Sequence, residues 1–118
     1  MKGAKMKRIY ICSPYSGNIT TNTHIASLAS RVVALSGDMP ITPHLYFPQF
    51  LNDNNARERA LGFEFNYKLM QDCDLMYVIG EPTTGMQQEL TIAYKLDLNI
   101  YRFSSFEELM KFCGKEQK

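Results

Sequence analysis

The chain has 118 residues, of which 45% are hydrophobic and 21% are charged, and its net charge at neutral pH is +1. This is the composition of a globular protein that can bury a core, and it excludes a disordered chain or a fibre. The chain has no long basic run, which argues against binding of a nucleic-acid polymer. We expect one domain over residues 1–118.

The cysteines and the apolar segments indicate the compartment. Cys12, Cys73 and Cys113 are widely spaced and odd in number, so they form no zinc or redox motif. No apolar run has the length of a signal-peptide core or a membrane span. The sequence predicts a cytoplasmic protein with reduced thiols, no metal, no cofactor and no membrane contact.

The chain is predicted to open with a strand, a loop and a helix. Residues 7–12, KRIYIC, form a short β-branched and aromatic run, and the turn-rich SPYSGN follows. Apolar residues then recur at helical spacing over residues 23–37, with Gly37 where a C-terminal glycine is expected. The prolines of residues 40–48 permit only a short second strand before an irregular loop.

Residues 55–72, NARERALGFEFNYKLMQD, are predicted to form a helix on the ground of length. Phe63, Phe65 and Tyr67 alternate as they would in a strand, which is the competing interpretation. As a helix, the segment is apolar on two sides. We expect one side to face a second subunit in a homodimer or larger homo-oligomer.

The rest of the chain repeats the alternation. Residues 74–80, DLMYVIG, are a continuous apolar run typical of a buried parallel strand. A helix follows, and Thr84 with Gln87 fits a capping box that places its start near Gly85. NIYRF is a last strand, and SFEELMKFCG is a last helix capped by Ser104 or Ser105.

This order of elements predicts the fold class. Strands and helices alternate about four times, so we expect an α/β protein with a mainly parallel sheet of four or five strands. The architecture would be a flavodoxin-like or Rossmann-like three-layer sandwich. Ligands bind such sheets beyond the carboxyl ends of the strands, where the strand order reverses. Three loops build that edge here: SPYSGN, PHLYFPQF and GEPTTGM.

Glu89 is the first candidate for chemistry. Helical spacing places Met86, Leu90 and Ala93 on the inward stripe, and Glu89 projects between Ala93 and Leu96. A carboxylate there, near the positive end of the helix, can stay ionised and serve as a nucleophile or stabilise a cation. The alternative is a glutamate at the flank of the stripe that reaches solvent.

Glu64 is the second candidate. It lies between Ala60, Leu61 and Lys68 on the middle helix, and burial there would raise its pKa and make it a general acid. The alternative is a solvated partner for Lys68 at the i+4 position.

Polar groups in the loops could contact a ligand. Ser13, Ser16 and the backbone N–H groups of SPYSGN suit a phosphate or sugar hydroxyls, although such a loop is often only a turn. Thr83 and Thr84 could hold a phosphate at the next helix start, although capping alone also explains Thr84.

Aromatic rings and a histidine lie in the same loops. His44, in a proline-bounded loop, is a candidate ligand contact. Tyr15, Tyr46 and Phe47 could stack on a base or pack their own loops.

Together, IYICSPYSG, CDLMYVIG and TTGMQQELTIAYKL resemble the nucleoside 2-deoxyribosyltransferase-like superfamily, above all its small bacterial and phage members, over about residues 9–101. The most specific element is Gly85, Glu89 and Ala93 in a small-residue helix after a strand and turn. The resemblance implies cleavage or transfer of the N-glycosidic bond of a nucleoside or nucleoside 5′-monophosphate. It also implies an oligomer whose sites cross the interface.

The resemblance gives the candidates roles. It implies that Glu89 attacks the anomeric carbon to form a glycosyl-enzyme and that Glu64 assists departure of the base. The candidate substrate-binding residues taken together are Tyr10, Ser13, Pro14, Tyr15, Ser16, Gly17, His44, Thr83, Thr84, Gly85 and Met86.

The chain departs from the superfamily pattern at two places. Thr83 and Thr84 stand where the transferases often carry an aspartate, which favours a phosphate or another polar group, and Glu64 replaces a more usual aspartate. Two other functions stay open on the sequence. One is a non-catalytic nucleotide sensor with the same pocket, and the other is a flavodoxin-like FMN carrier, suggested by the YSGNIT loop.

Overall fold

The computed structural model describes residues 5–116, with side chains to residue 114, so residues 1–4 and 117–118 of the predicted domain lie outside it. Its strands are β1 (Arg8–Cys12), β2 (Met39–Ile41), β3 (Leu75–Ile79) and β4 (Asn99–Phe103). Its helices are α1 (Ile19–Leu35), α2 (Ala56–Gln71), α3 (Thr84–Lys95) and α4 (Phe106–Glu116). Short 3₁₀ turns at Pro43–Leu45 and Phe47–Gln49 connect β2 to α2.

Within residues 5–116 the strands form one four-stranded sheet in the order β2-β1-β3-β4, and every pairing is parallel. The chain goes from β1 outward to β2 and then crosses back beyond β1 to β3. The strand order therefore reverses between β1 and β3, where a ligand is expected. The prediction of a flavodoxin-like α/β sandwich with a parallel sheet is confirmed.

Alternation along the strands divides the core into two layers. Ile9 and Ile11 of β1 face one layer, in which they pack with residues of α1 and α4. Tyr10 and Cys12 face the other, in which they pack with residues of α2 and α3. Because both faces of the sheet are covered, the central strands are continuous apolar runs.

The starts of two helices differ from the prediction. α1 begins at Ile19 rather than residue 23, because the Asn18 side chain accepts a hydrogen bond from the Thr21 N–H at 3.1 Å. Thr83, not Thr84, caps α3, because its extended backbone lets its hydroxyl accept from the Met86 N–H at 3.3 Å. The predicted capping box is therefore displaced by one residue.

Three further predictions about the helices agree with the structure. Gly37 follows the end of α1 with a φ of +101°, a conformation that favours glycine. Ser105, one of the two predicted caps, accepts from the Glu108 N–H at 3.3 Å. The helix prediction for residues 55–72 is also confirmed, since α2 occupies Ala56–Gln71.

Some apolar residues of α2 are partly exposed. Met70 is buried against the sheet, whereas Leu61 and Tyr67 are each 37% exposed. Leu61 and Tyr67 lie about 120° apart around the helix, so its exposed apolar residues do not form one stripe. The oligomer stays a prediction. No helix in the described part of the chain is both long and apolar enough to cross a membrane.

Asn55→Ala is expected to lower the free energy of unfolding by about 1 kcal/mol. The Asn55 side chain accepts from the N–H groups of Arg57 and Glu58, which have no partner within the first turn of a helix. Urea unfolding followed by circular dichroism measures the change, with Asn54→Ala as the control. Equal stability of the two variants would contradict the role of Asn55 as the cap.

Candidate active site

A cavity lies at the carboxyl edge of the sheet, where the strand order reverses. The loop after β1, the 3₁₀ turns after β2, the helix α2 and the start of α3 surround about 800 Å³ of space that is partly open to solvent. Among the predicted site residues, those that line it are Tyr15, Ser16, His44, Thr83, Gly85, Met86 and Glu89.

Glu89 lies on the sheet side of α3 and is 2% exposed. Its neighbours along the same stripe, Met86, Leu90 and Ala93, are also buried. The orientation predicted from helical spacing is confirmed, and the alternative of a glutamate that reaches solvent is wrong. A buried carboxyl group therefore lines the wall of the cavity.

Donor side chains surround this carboxyl group. The Tyr10 hydroxyl donates to Oε2 at 2.5 Å, and the Cys12 thiol donates to Oε1 at 3.4 Å. The Nε2 atom of His44 lies 3.8 Å from Oε2. Tyr10 and Cys12 reach the same carboxyl group because residues two apart on a strand share a face.

Burial dominates the electrostatics of the group. It raises the pKa of Glu89 above its ordinary value, while the charge interaction with His44 and the hydrogen bonds from Tyr10 and Cys12 lower that pKa in part. Burial, together with the charge on Glu89, also raises the pKa of Tyr10 and of Cys12. Both side chains therefore keep the protons that they donate.

Glu64 does not reach this site. It is exposed and does not line the cavity, so the burial that its predicted role as an acid required is absent. The cavity-facing side of α2 instead presents Gly62, Phe63 and Asn66. Glu64 lies about 200° around the helix from Gly62 and from Asn66, which places it on the opposite side.

Asn66 is the functional candidate that the sequence analysis missed. Its Oδ1 atom is buried and has no hydrogen-bond partner among the described residues, as is also true of Ser13 Oγ and His44 Nδ1. Asn66 and His44 both line the cavity. A buried polar atom without a partner is unfavourable, so these atoms are well placed to bind a ligand. The signal available in the sequence is that Asn66 follows Gly62 by four residues, which places the two on the same side of a helix.

Charged residues lie around the cavity as well. Asp53, Glu58 and Arg59 belong to its lining, and Arg59 Nη1 donates to the carbonyl of Asp53 at 3.1 Å. The guanidinium provides a cation for an anionic group of a ligand. Within residues 5–116, no three His, Cys, Asp or Glu side chains are grouped to hold a metal ion.

The remaining predicted residues lie near the cavity without lining it. Ser13 is fully buried at the end of β1, and Gly17, at a φ of +92°, and Thr84 are exposed. Pro14 packs on Gly80, where a Cβ atom would lie 3.8 Å from the proline ring. Tyr10 lies behind Glu89 and contacts the lining of the cavity through that carboxyl group.

Comparison with known proteins adds a family and a fold. The model of a domain of unknown function, DUF7768, matches residues 7–103. No curated protein matches the chain in sequence. The chain is similar in structure to a solved 2-deoxyribosyltransferase from the psychrotolerant bacterium Bacillus psychrosaccharolyticus, described as a biocatalyst for nucleoside synthesis. The TM-score is 0.68, the sequence identity is 21%, and the match covers 81% of this chain and 71% of that one. The two proteins therefore share a fold.

The buried Glu89 is expected to make stability depend on pH. Its pKa is raised in the folded protein, so the free energy of unfolding falls as pH rises from the ordinary value of 4.5 through the raised one. Glu89→Gln cannot ionise, and its Tm relative to wild type should increase with pH by several degrees. Thermal unfolding between about pH 4 and pH 8 measures this.

The control for this measurement is Glu107→Gln, which removes an exposed carboxylate from α4. Its Tm difference from wild type should vary much less with pH. A Glu89→Gln difference that stays constant across the range would mean that ionisation of Glu89 does not destabilise the fold.

Proposed function

The chain belongs to the DUF7768 family, and we propose that it cleaves or transfers the N-glycosidic bond of a nucleoside or nucleoside 5′-monophosphate, with Glu89 as the nucleophile. The observation that carries the proposal is the placement of Glu89. Its carboxyl group is buried, lines a cavity at the point where the strand order reverses, and is held by Tyr10 and Cys12. The fold shared with a 2-deoxyribosyltransferase supports the same reaction class.

The reaction proceeds through a covalent intermediate. A lone pair of the Glu89 carboxylate forms a bond to the anomeric carbon, while the electron pair of the C–N bond departs with the base. Positive charge builds up on the sugar ring in the transition state, and the buried carboxylate stabilises it. Water then gives the free sugar, or a second base gives a new nucleoside. In this second step the C–O bond to Glu89 breaks and its electron pair returns to the carboxylate. The departing base takes a proton from solvent in the first step, and the attacking water or base releases one in the second.

The apolar part of the cavity suits the base. Phe47 and Phe63 line it with aromatic side chains, the residue type on which a base stacks, and Asn66 adds a buried oxygen that can accept a hydrogen bond. Asn66 therefore takes the position on α2 that the sequence assigned to Glu64. An amide recognises the base by hydrogen bonding but does not supply a proton as a carboxylic acid would.

The polar part of the cavity suits a 5′-phosphate. Ser16 and Thr83 line it with hydroxyl groups, and Arg59 adds a positive charge. Gly85 lies in the first turn of α3, where free N–H groups and the positive end of the helix favour an anion. These features favour a nucleotide over a free nucleoside as the substrate.

Base release tests the function directly. Wild-type protein is incubated with nucleosides and their 5′-monophosphates, and free base is followed by chromatography beside Glu89→Ala. We expect release by the wild type and a loss of at least a hundredfold in the variant, since the nucleophile is removed. Gln88→Ala, an exposed neighbour on α3, is the control and should retain activity. Tight binding without release by the wild type would instead support a sensor.

Asn66→Leu is expected to weaken substrate binding about tenfold, because it removes the hydrogen-bond partner of the base. Isothermal titration with the Glu89→Gln protein, which does not turn substrate over, measures the Kd with and without the second change. Gln71→Leu removes an exposed amide from the same helix and is the control. Equal affinities for all three proteins would show that Asn66 does not contact the ligand.

A further inference from the structure

The two oxygens of the Glu89 carboxylate have unequal partners. Oε2 accepts the Tyr10 hydroxyl at 2.5 Å and lies 3.8 Å from the imidazole of His44. Oε1 accepts the Cys12 thiol at 3.4 Å. A hydroxyl is a strong donor and a thiol is a weak one, so Oε2 is held tightly while the lone pairs of Oε1 are more available.

We propose that Cys12 is a positioning residue that holds Oε1 of Glu89 with a weak hydrogen bond, and that Oε1 is the oxygen that attacks the sugar. The inference rests on the proposed function, because it assigns one atom and one supporting side chain to that reaction. The tight hydrogen bond from Tyr10 fixes the orientation of the carboxylate. The weak one from Cys12 keeps Oε1 in place without reducing its nucleophilicity.

Electrons and protons balance in this step. The new C–O bond uses a lone pair of Oε1, and the pair of the breaking C–N bond leaves with the base. Negative charge therefore leaves Oε1 as the bond forms, and the hydrogen bond from Cys12 weakens. The thiol keeps its proton throughout, because burial raises the pKa of Cys12 well above its ordinary value.

Packing is the competing account of Cys12. The residue is fully buried in the layer between the sheet and the helices α2 and α3, and its sulfur also lies 4.0 Å from the carbonyl of Met86. If Cys12 serves only to fill this space, a substitution changes the pKa of Glu89 according to the volume of the new side chain. If Cys12 acts as a hydrogen-bond donor, the change follows the strength of the new donor. Serine and alanine at position 12 separate the two accounts.

The test is a carbon-13 NMR titration of the Glu89 carboxyl group without substrate, assigned with Glu89→Gln. Cys12→Ser keeps the shape and strengthens the donor, so the pKa of Glu89 should fall. Cys12→Ala removes the donor, so that pKa should rise. The matched control is Cys73→Ser, because the Cys73 thiol donates to the carbonyl of Leu69 at 3.3 Å, outside the cavity. It should leave the pKa of Glu89 unchanged.

Kinetics complete the test. A stronger donor on the attacking oxygen should lower the single-turnover rate of base release in Cys12→Ser by on the order of tenfold, with little change in KM. Shifts of the Glu89 pKa in the same direction in both variants, or no shift in either, would overturn the role of Cys12. An unchanged rate in Cys12→Ser would overturn the assignment of Oε1.

The two proposals fail in different ways. The titration needs no substrate, so it reports on Cys12 even if the wild type releases no base. Absence of release by the wild type, with opposite pKa shifts in the two variants, would reject the enzyme and the attack by Oε1 while leaving the hydrogen bond in place. Release with no opposite shifts would support the enzyme and reject the positioning role.

Discussion

The hydrogen bond from Tyr10 to Glu89 is the interaction on which the site depends. A carboxylate taken out of water loses several kcal/mol of hydration, and only close donors or a nearby cation compensate for the loss. Tyr10, Cys12 and His44 supply those groups from β1 and from the turns after β2. Glu89 itself comes from α3, so three separate segments of the chain assemble the site, and the parallel sheet brings them together.

The sheet explains why the donors come from β1. This strand lies between β2 and β3 and is covered on both faces, so its side chains are fixed by packing. Tyr10 and Cys12 occupy the last part of the strand on the face toward α3, and Glu89 lies one turn and a half into that helix. Rigid elements hold all three groups, which is the arrangement that precise chemistry requires.

The sequence predicted the features that depend on strong periodic patterns. Continuous apolar strands identified the parallel sheet, and a spacing of about 100° per residue correctly placed Glu89 inward. Helical spacing failed for Glu64, because α2 is apolar on two sides and the angles between residues do not show which side faces the cavity. Asn66 was missed for the same reason. The cap of α3 was misplaced because adjacent threonines are equally good caps by residue type, and only the backbone conformation of Thr83 decides between them.

The segment between β2 and α2 belongs to neither helical layer, yet it supplies His44, Phe47 and Leu51 to the cavity. The sheet and its helices do not need a particular length or composition there, since connecting loops tolerate insertion and substitution. The part of the wall outside His44 can therefore diversify while the carboxylate and its donors on β1 stay fixed. Rebuilding this one surface loop would reshape the cavity without disturbing the sheet that holds the carboxylate.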